Sequence, residues 1–263
     1  PISILGSNFT RPINYLENIG SAQVKSSIML ASLNAPGKTI IKAKKSRNHT
    51  ELLFKNLKIP IKIKKEKNYD FIEVEGKKSF KSFDYKIPGD ISSSSFFIVL
   101  TLISKNSQLT IKNVNVNSTR IGCINILNKM GAGIKIINKK KYKGEIIGDI
   151  FVKSKKKLKS INCPSSLNSS AIDEFLIIFL VASKSKGISY FKKISELNKK
   201  ESPRLKIASK ILNKIGIKTK LRSDSIKIYG NPNLKLSKKI LIKNFMKDHR
   251  IFMMSTIAAL SFG

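Results

Sequence analysis

Asp173, in SSAIDEF, and Glu201, in NKKESPRLK, are acids in a chain with 51 basic and only 16 acidic residues. Each sits at a predicted helix start, where the macrodipole favours negative charge. Two carboxylates held at helix starts on one face of a lobe could work as an acid/base pair, one accepting a proton and one delivering it. Structural explanations compete with that chemistry. Ser170 with Asp173 matches a capping box ahead of an apolar run, and Glu201 among Lys199, Lys200 and Arg204 could be a surface ion pair worth at most ~1 kcal/mol.

The arginines point to anions. Of Arg11, Arg47, Arg120, Arg204, Arg222 and Arg250, four (Arg47, Arg120, Arg204 and Arg250) fall at or near predicted helix starts, where a cation is disfavoured by roughly 0.3 to 1 kcal/mol. An anion held between the dipole and the guanidinium resolves the conflict, and arginine offers phosphate or carboxylate a planar fork that lysine lacks. The competing explanation is chance on a very basic chain.

The elements that must position these groups recur. SAQVKSSIMLASLNAPG, TIIKA, TELLFKNL, IKIKK and FIEVEG form one series. GDISSSSFFIVLTLISKNS, LTIKNV, STRIGCINILNKMGA, GIKII and IFVKS form a second, and IDEFLIIFLVASKSKG, ISYFK, ESPRLKIASKILNKIG, IKTKL and SIKIYG a third. Each reads helix, strand, helix, strand, strand, and DHRIFMMSTIAALSFG begins a fourth. Ser92, Ser118 and Ser202 occupy expected N-cap positions, Pro203 the first helical position, and Gly131 and Gly216 the C-terminal stops. First helices such as FLIIFLVA are apolar on nearly every face, which places them inside a lobe with sheets outside.

Composition bounds the rest. With 263 residues at 41% hydrophobic, the chain can bury a core and form one or two domains. Its longest apolar runs, Phe175 to Ala182 and Ile251 to Phe262, fall short of the ~18 residues of a membrane span, so no membrane association is expected. No secretion signal opens the chain. Cys123 and Cys163 lack metal-ligand spacing, read as small buried apolar residues, and suit a reducing, cytoplasmic setting. The net charge of +35 raises nucleic-acid binding, but the lysines are spread evenly and basic runs carry few stacking aromatics, so no nucleic-acid partner is expected. Pro1 in place of an initiator Met, and the halt at SFG after an apolar run, read as marks of a fragment.

SAQVKSS (21 to 27), SRNHTE (46 to 51), PGDISSSSFF (88 to 97), NVNSTRIG with MGA, IDE (172 to 174), KESPRL (200 to 205) and DHRIFM (248 to 253) together resemble the successive motifs of the EPSP synthase family. The resemblance covers nearly the whole chain, and SAQVKS, KES.RL and DHR in that order are specific. It implies an α/β (α+β) fold: a two-lobed inside-out α/β barrel of the repeated unit, helices buried and sheets outside, with helix starts facing the cleft, incomplete in this chain. Residues 1–85 then correspond to the last repeat of the first lobe, and 86–263 to two repeats and the start of a third in the second lobe. The implied reaction joins the enolpyruvyl group of phosphoenolpyruvate to the 5-hydroxyl of shikimate 3-phosphate and releases phosphate, without metal or organic cofactor, in a monomer.

The implied roles follow the motifs. Ser21, Ala22 and Gln23 hold shikimate 3-phosphate, Gln23 also reaching phosphoenolpyruvate, and Arg47 and Lys200 add to the shikimate 3-phosphate site. Asp173 takes the 5-hydroxyl proton, Glu201 delivers a proton to the methylene carbon and later removes one, and Arg204 and Arg250 clamp phosphoenolpyruvate. Two departures stand out: Pro203 replaces the usual acid of KES.R, and the family's N-terminal Lys and Arg motifs and a late Lys beyond DHR have no counterpart, so this segment alone is expected to turn over negligibly. The related UDP-N-acetylglucosamine enolpyruvyl transferase shares the repeat but lacks the SAQ and KES.R set, and Cys123 and Cys163 lie in the wrong context for its reactive cysteine. A polycationic RNA-binding protein is the rival from another class.

Overall fold

In KTIIKAK and YDFIEVE apolar residues alternate with charged ones, the period of a strand with one face in a core and one in water. In FLIIFLVASK no such alternation exists, and the segment can satisfy its apolar surface only by being enclosed. These two patterns set the architecture seen in a computed structural model of the protein, which describes residues 3, 5–7, 9–236, 239–243 and 245–262. The chain forms a mixed α/β fold in two compact units: residues 1–87 with 141–145, and residues 88–140 with 146–263.

In the first unit, strand β1 (Asn14–Glu17) is followed by helix α1 (Ala22–Ser32), strand β2 (Lys38–Lys44), helix α2 (His49–Asn56) and strands β3 (Ile61–Lys65) and β4 (Tyr69–Glu75). The sheet order is β1-β2-β4-β3, with β1 parallel to β2 and β4 antiparallel to both β2 and β3. The register sets Ile41 opposite Ile72 and Ile63 opposite Ile72 on the other side, so the inward face joins Met29 of α1 and Phe54 of α2 in one core. Lysines take the outward face, where Lys38 Nζ lies 3.0 Å from Glu73 Oε1 and Lys42 sits over the rings of Tyr69 and Phe71. Lys25, by contrast, is fully buried and paired with Glu51 at 2.5 Å.

The second unit runs through α3 (Ile91–Ile103), β5 (Gln108–Asn115), α4 (Gly122–Lys129), β6 (Lys135–Tyr142) and β7 (Glu145–Lys153), apart from residues 141–145 between and at the ends of those two strands, then the short α5 (Asn168–Ala171). It continues with α6 (Phe175–Lys184), β8 (Gly187–Phe191), α7 (Arg204–Lys214), β9 (Thr219–Leu221), β10 (Ile226–Gly230) and α8 (His249–Phe262). Helices α3, α6 and α8 pack on one another. Phe175, Phe179 and Phe191 form a ring cluster with centroids 5.0 to 5.9 Å apart, each fully buried side chain stabilising by about 1.5–3 kcal/mol. Among the described residues no helix is long and apolar enough to cross a membrane.

The internal repeat appears as one topology written three times. The sheets run β2-β4-β3, β5-β7-β6 and β8-β10-β9: the last strand of each repeat enters the middle. A residue one or two positions beyond that strand then returns to the end of the repeat's first helix, with Lys77 N–H donating to Leu33 O (2.9 Å), Lys155 N–H to Leu102 O (3.0 Å) and Asn231 N–H to Ser183 O (2.7 Å). Each bond satisfies a carbonyl that a helix end leaves open. Glycine makes the approach possible in the third repeat: a Cβ on Gly230 would lie 2.0 Å from Ser185 O and 2.6 Å from Ala182 O.

The helix starts differ in part from expectation. Asp90, not Ser92, caps α3, its Oδ2 accepting from Ser93 N–H at 2.8 Å, because a carboxylate two residues earlier satisfies the open amides. Ser118 lies in a turn organised by Asn117, whose Oδ1 accepts from Thr119 N–H at 2.9 Å, and α4 starts four residues later without a side-chain cap. Pro203 is the N-cap of α7 rather than its first residue, and Ser202 turns its hydroxyl to Asp248 instead of the helix. The capping box of Ser170 with Asp173 does not form: Ser170 Oγ donates backwards to Leu167 O at 3.0 Å, and α6 starts at Phe175. Gly131 and Gly216 follow α4 and α7 with φ of +90° and +89°, as expected of C-terminal stops.

Gly230→Ala is expected to destabilise the protein by about 1–3 kcal/mol in urea unfolding, because both blocking atoms are backbone. Gly6→Ala, with nothing within 4 Å of the added atom, should change little. Equal stability of the two variants would refute the close-approach account.

Candidate active site

Helix α7 begins with its own difficulty. Arg204, its first residue, is 1% exposed, at the positive end of the dipole, and a buried guanidinium is tolerated only when its charge is met. Asp248, immediately before α8, meets it: Arg204 Nε donates to Asp248 Oδ2 at 2.8 Å and Nη2 to Oδ1 at 3.2 Å. Ser202 Oγ donates to Asp248 Oδ2 at 2.7 Å and the Arg250 N–H to Oδ1 at 2.9 Å. Burial alone would raise the Asp248 carboxyl, but the bonds from Arg204, Ser202 and Arg250 outweigh it and hold the group below the usual carboxylate range.

The remaining atoms of Arg204 draw in both acids singled out in the sequence. Its Nη2 donates to Glu201 Oε2, and its Nη1 lies 3.8 Å from Asp173 Oδ1. Asp173 also has Arg120 Nη1 at 3.6 Å and Lys200 Nζ at 3.7 Å, and Arg250 Nη1 donates to its main-chain oxygen at 3.1 Å. The two carboxylates therefore flank one guanidinium in different surroundings, the Asp173 side chain 13% exposed and that of Glu201 57% exposed. Lys200 divides its charge between Asp173 and Glu196, 2.9 Å away.

The network continues past Asp173. Arg120 Nη2 donates to Asp90 Oδ1 at 3.0 Å and to Ser92 Oγ at 2.7 Å, and Ser92 Oγ donates to Glu174 Oε1. Burial raises the Glu174 carboxyl, against the opposing effects of Arg120 and the Ser92 bond. Asp90 caps α3, Arg120 precedes α4, Glu174 holds the N-cap position of α6, Arg204 opens α7 and Asp248 precedes α8. Five helix starts of the second unit thus meet in one alternation of carboxylates and guanidinium groups, and the arginine placement that looked unfavourable in the sequence is offset inside the chain.

In the first unit Ser21 caps α1, its Oγ accepting from Val24 N–H at 3.2 Å, and Ala22 and Gln23 are the first two helical residues. Glu17 folds under this turn and accepts from the N–H groups of Ile19, Gly20 and Ser21. Arg47 precedes α2, and its carbonyl accepts from Lys25 Nζ at 2.7 Å, so α1 ties the segment before α2 to the start that Ser21 caps. Ser21, Ala22, Gln23 and Arg47 belong to this unit, and Asp173, Lys200, Glu201, Arg204 and Arg250 to the other.

Sequence reading missed Asp248, Ser202, Arg120 with Ser92, and Glu174 as members of the charge network. Asp248 carried a signal, being an acid two residues ahead of a helix-start arginine. Cys123 and Cys163 are buried as expected, and burial pushes the Cys163 thiol up to about 11 and that of Cys123 well above its usual value, which removes the thiolate a nucleophile needs. Among the described residues no group of three or more His, Cys, Asp or Glu is arranged to hold a metal ion.

Comparison with known proteins agrees with this geometry. The family model described as EPSP synthase (3-phosphoshikimate 1-carboxyvinyltransferase) matches residues 1–263. The chain is 40% identical over 261 residues to the 3-phosphoshikimate 1-carboxyvinyltransferase of Petrotoga mobilis, covering 99% of this chain and 59% of that protein. It is also 40% identical over 259 residues to that of Thermodesulfovibrio yellowstonii, covering 98% and 58%. The chain thus spans under two thirds of the length of these relatives. The solved structure of EPSP synthase from Acinetobacter baumannii superposes with a TM-score of 0.85 at 32% identity, over 96% of this chain and 57% of that one. The enolpyruvyl transferase NikO from Streptomyces tendae shares the fold alone, with a TM-score of 0.66 at 13% identity over 97% of this chain and 58% of that one. A family model matched from first residue to last, carried on a fold whose charge network gathers the IDE, KESPRL and DHR segments, establishes that the chain belongs to the EPSP synthase family.

Proposed function

We propose that the protein transfers the enolpyruvyl group of phosphoenolpyruvate to the 5-hydroxyl of shikimate 3-phosphate, giving 5-enolpyruvylshikimate 3-phosphate and phosphate. The observation that supports this best is the arrangement of Asp173 and Glu201 on either side of the Arg204 guanidinium. Asp173 accepts the 5-hydroxyl proton as that oxygen bonds to the central carbon of phosphoenolpyruvate, while Glu201 delivers a proton to the methylene carbon. The tetrahedral adduct then expels phosphate as Glu201 takes a proton back from the methyl group. Each step moves a proton, so each requires a positioned acid or base.

Both substrates are anions, and the second unit supplies cations for them. Arg204 and Arg250 hold phosphoenolpyruvate, Arg204 being set in place by Asp248 before any substrate arrives, so that little ordering is left for binding. Lys200 is a ligand of shikimate 3-phosphate in the second unit, and the resemblance assigns Ser21, Ala22, Gln23 and Arg47 of the first unit to the same substrate, Gln23 also to phosphoenolpyruvate. In this reading residues 1–85 are the last repeat of one lobe and 86–263 belong to the other, the protein works as a cytoplasmic monomer, and it takes small anionic substrates rather than nucleic acid.

Phosphate release from shikimate 3-phosphate and phosphoenolpyruvate, measured with the protein that carries this sequence, should fall by about 100-fold or more in Asp173→Asn and in Glu201→Gln. Parent-like turnover in either variant would remove that residue from the mechanism. Shikimate 3-phosphate should raise the melting temperature and UDP-N-acetylglucosamine should not.

Asp248→Asn should destabilise the protein by about 3–5 kcal/mol at pH 7, since it leaves Arg204 buried without its counter-charge. Because the folded-state Asp248 carboxyl lies below its ordinary value, its contribution is complete above about pH 4 and is lost as pH falls further. Denaturant unfolding of parent and variant should therefore converge as pH falls through the lowered folded-state value, and a gap that is independent of pH would contradict the ionised pair.

A further inference from the structure

Arg120 is a buried cation to which the proposed reaction assigns no task. The turn formed by Asn117 delivers it, Arg120 N–H donating to Asn117 O at 2.8 Å. Two residues on, Gly122 opens α4 hard against the end of α5: a Cβ there would lie 2.3 Å from Ser170 Oγ and 2.8 Å from the Ala171 nitrogen. Since Ala171 is two residues ahead of Asp173, this contact brings the Arg120 turn beside Asp173, a proximity that a side chain at position 122 would prevent.

The guanidinium is gripped from one side only. Asp90 and Ser92 take Nη2, and Ser92 in turn is bonded to Glu174, the residue adjoining Asp173. Nη1 is buried and has no hydrogen-bond partner among the described residues, yet it faces Asp173 Oδ2 at 3.6 Å. A buried charged donor left without a hydrogen bond is unfavourable, and the group this one faces is the proposed proton acceptor. We propose that Arg120 is a positioning residue for Asp173, held by the Asp90, Ser92 and Glu174 framework so that its Nη1 fixes the carboxylate in place and in its ionised form. This rests on the assignment of Asp173 as the base. The other charges bearing on Asp173 are Lys200 and Arg204 on its Oδ1, Arg250 on its main-chain oxygen, and neighbouring Glu174, with Asp90, Glu201 and Asp248 as counter-charges to the arginines.

The direct measurement is a carbon-13 titration of aspartate carboxyl groups, with the Asp173 resonance assigned by its loss in Asp173→Asn. Removing a cation disfavours the carboxylate, so Arg120→Met should move the Asp173 midpoint upward by about one unit. Arg120→Lys should move it less, and Ser92→Ala, which loosens the guanidinium while leaving it present, should produce a smaller shift in the same direction. Phosphate release by Arg120→Met should drop most at the acidic end of its pH range and recover as pH rises. An unchanged midpoint in Ser92→Ala and in either folded Arg120 variant, or a loss of turnover equal at every pH, would overturn the proposal and leave Arg120 a structural ion pair. Normal turnover in Asp173→Asn would instead overturn the proposed function, while the titration would still report on Arg120.

Discussion

A guanidinium with 1% exposure at the first position of a helix is the constraint around which the second unit is arranged. Removing such an ion from water carries an effective penalty of several kcal/mol, and only close carboxylates with good geometry offset it. Asp248 provides that geometry from another helix start, with Ser202 and the Arg250 amide occupying its remaining acceptor positions. Once this pair forms, α7 and α8 are fixed end to end, and Glu201, Lys200 and Arg250 have little freedom left in where they stand. The chemistry proposed for the protein is in this sense a by-product of satisfying one buried charge.

The pair can form only because the repeats bring helix starts together. Helix α6 is buried along almost its whole length and α3 and α8 pack against it, and each sheet threads its last strand into the middle, with a backbone bond in every repeat returning to the first helix. That closure holds the carbonyl ends of the helices, and the starts gather with the acids and arginines they carry. The same device occurs in the first unit, where Ser21, Ala22 and Gln23 open α1 and Arg47 precedes α2.

Much of this was legible in the chain. The order helix, strand, helix, strand, strand was visible in hydrophobic periodicity and turn residues, and all four arginines placed near helix starts are there. The meeting of Asp173, Glu201, Arg204 and Arg250 in one network also follows the sequence reading. What could not be read is which polar group would serve a helix and which would serve the site. Ser92 and Ser202 have the chemistry of caps, but tertiary charges compete for their hydroxyls more strongly than an open amide does, and Ser170 turns back to a carbonyl of its own turn. Asp248 was hidden for a related reason: its partner lies in a different repeat, and periodicity reports nothing about pairing at that separation.

Lysine dominates the sheet exteriors, while Arg120 and Arg204 are buried. On β2 the lysines at 38, 42 and 44 face solvent while Thr39, Ile41 and Ala43 face the core, and the lysines of β3 and most of β6 are exposed as well. Exchanges at such outward positions usually alter stability by no more than about 0.5 kcal/mol. The sheet exteriors can therefore exchange one cation for another at little cost in stability, whereas the same exchange at Arg120 or Arg204 would take the planar fork out of a buried charge network.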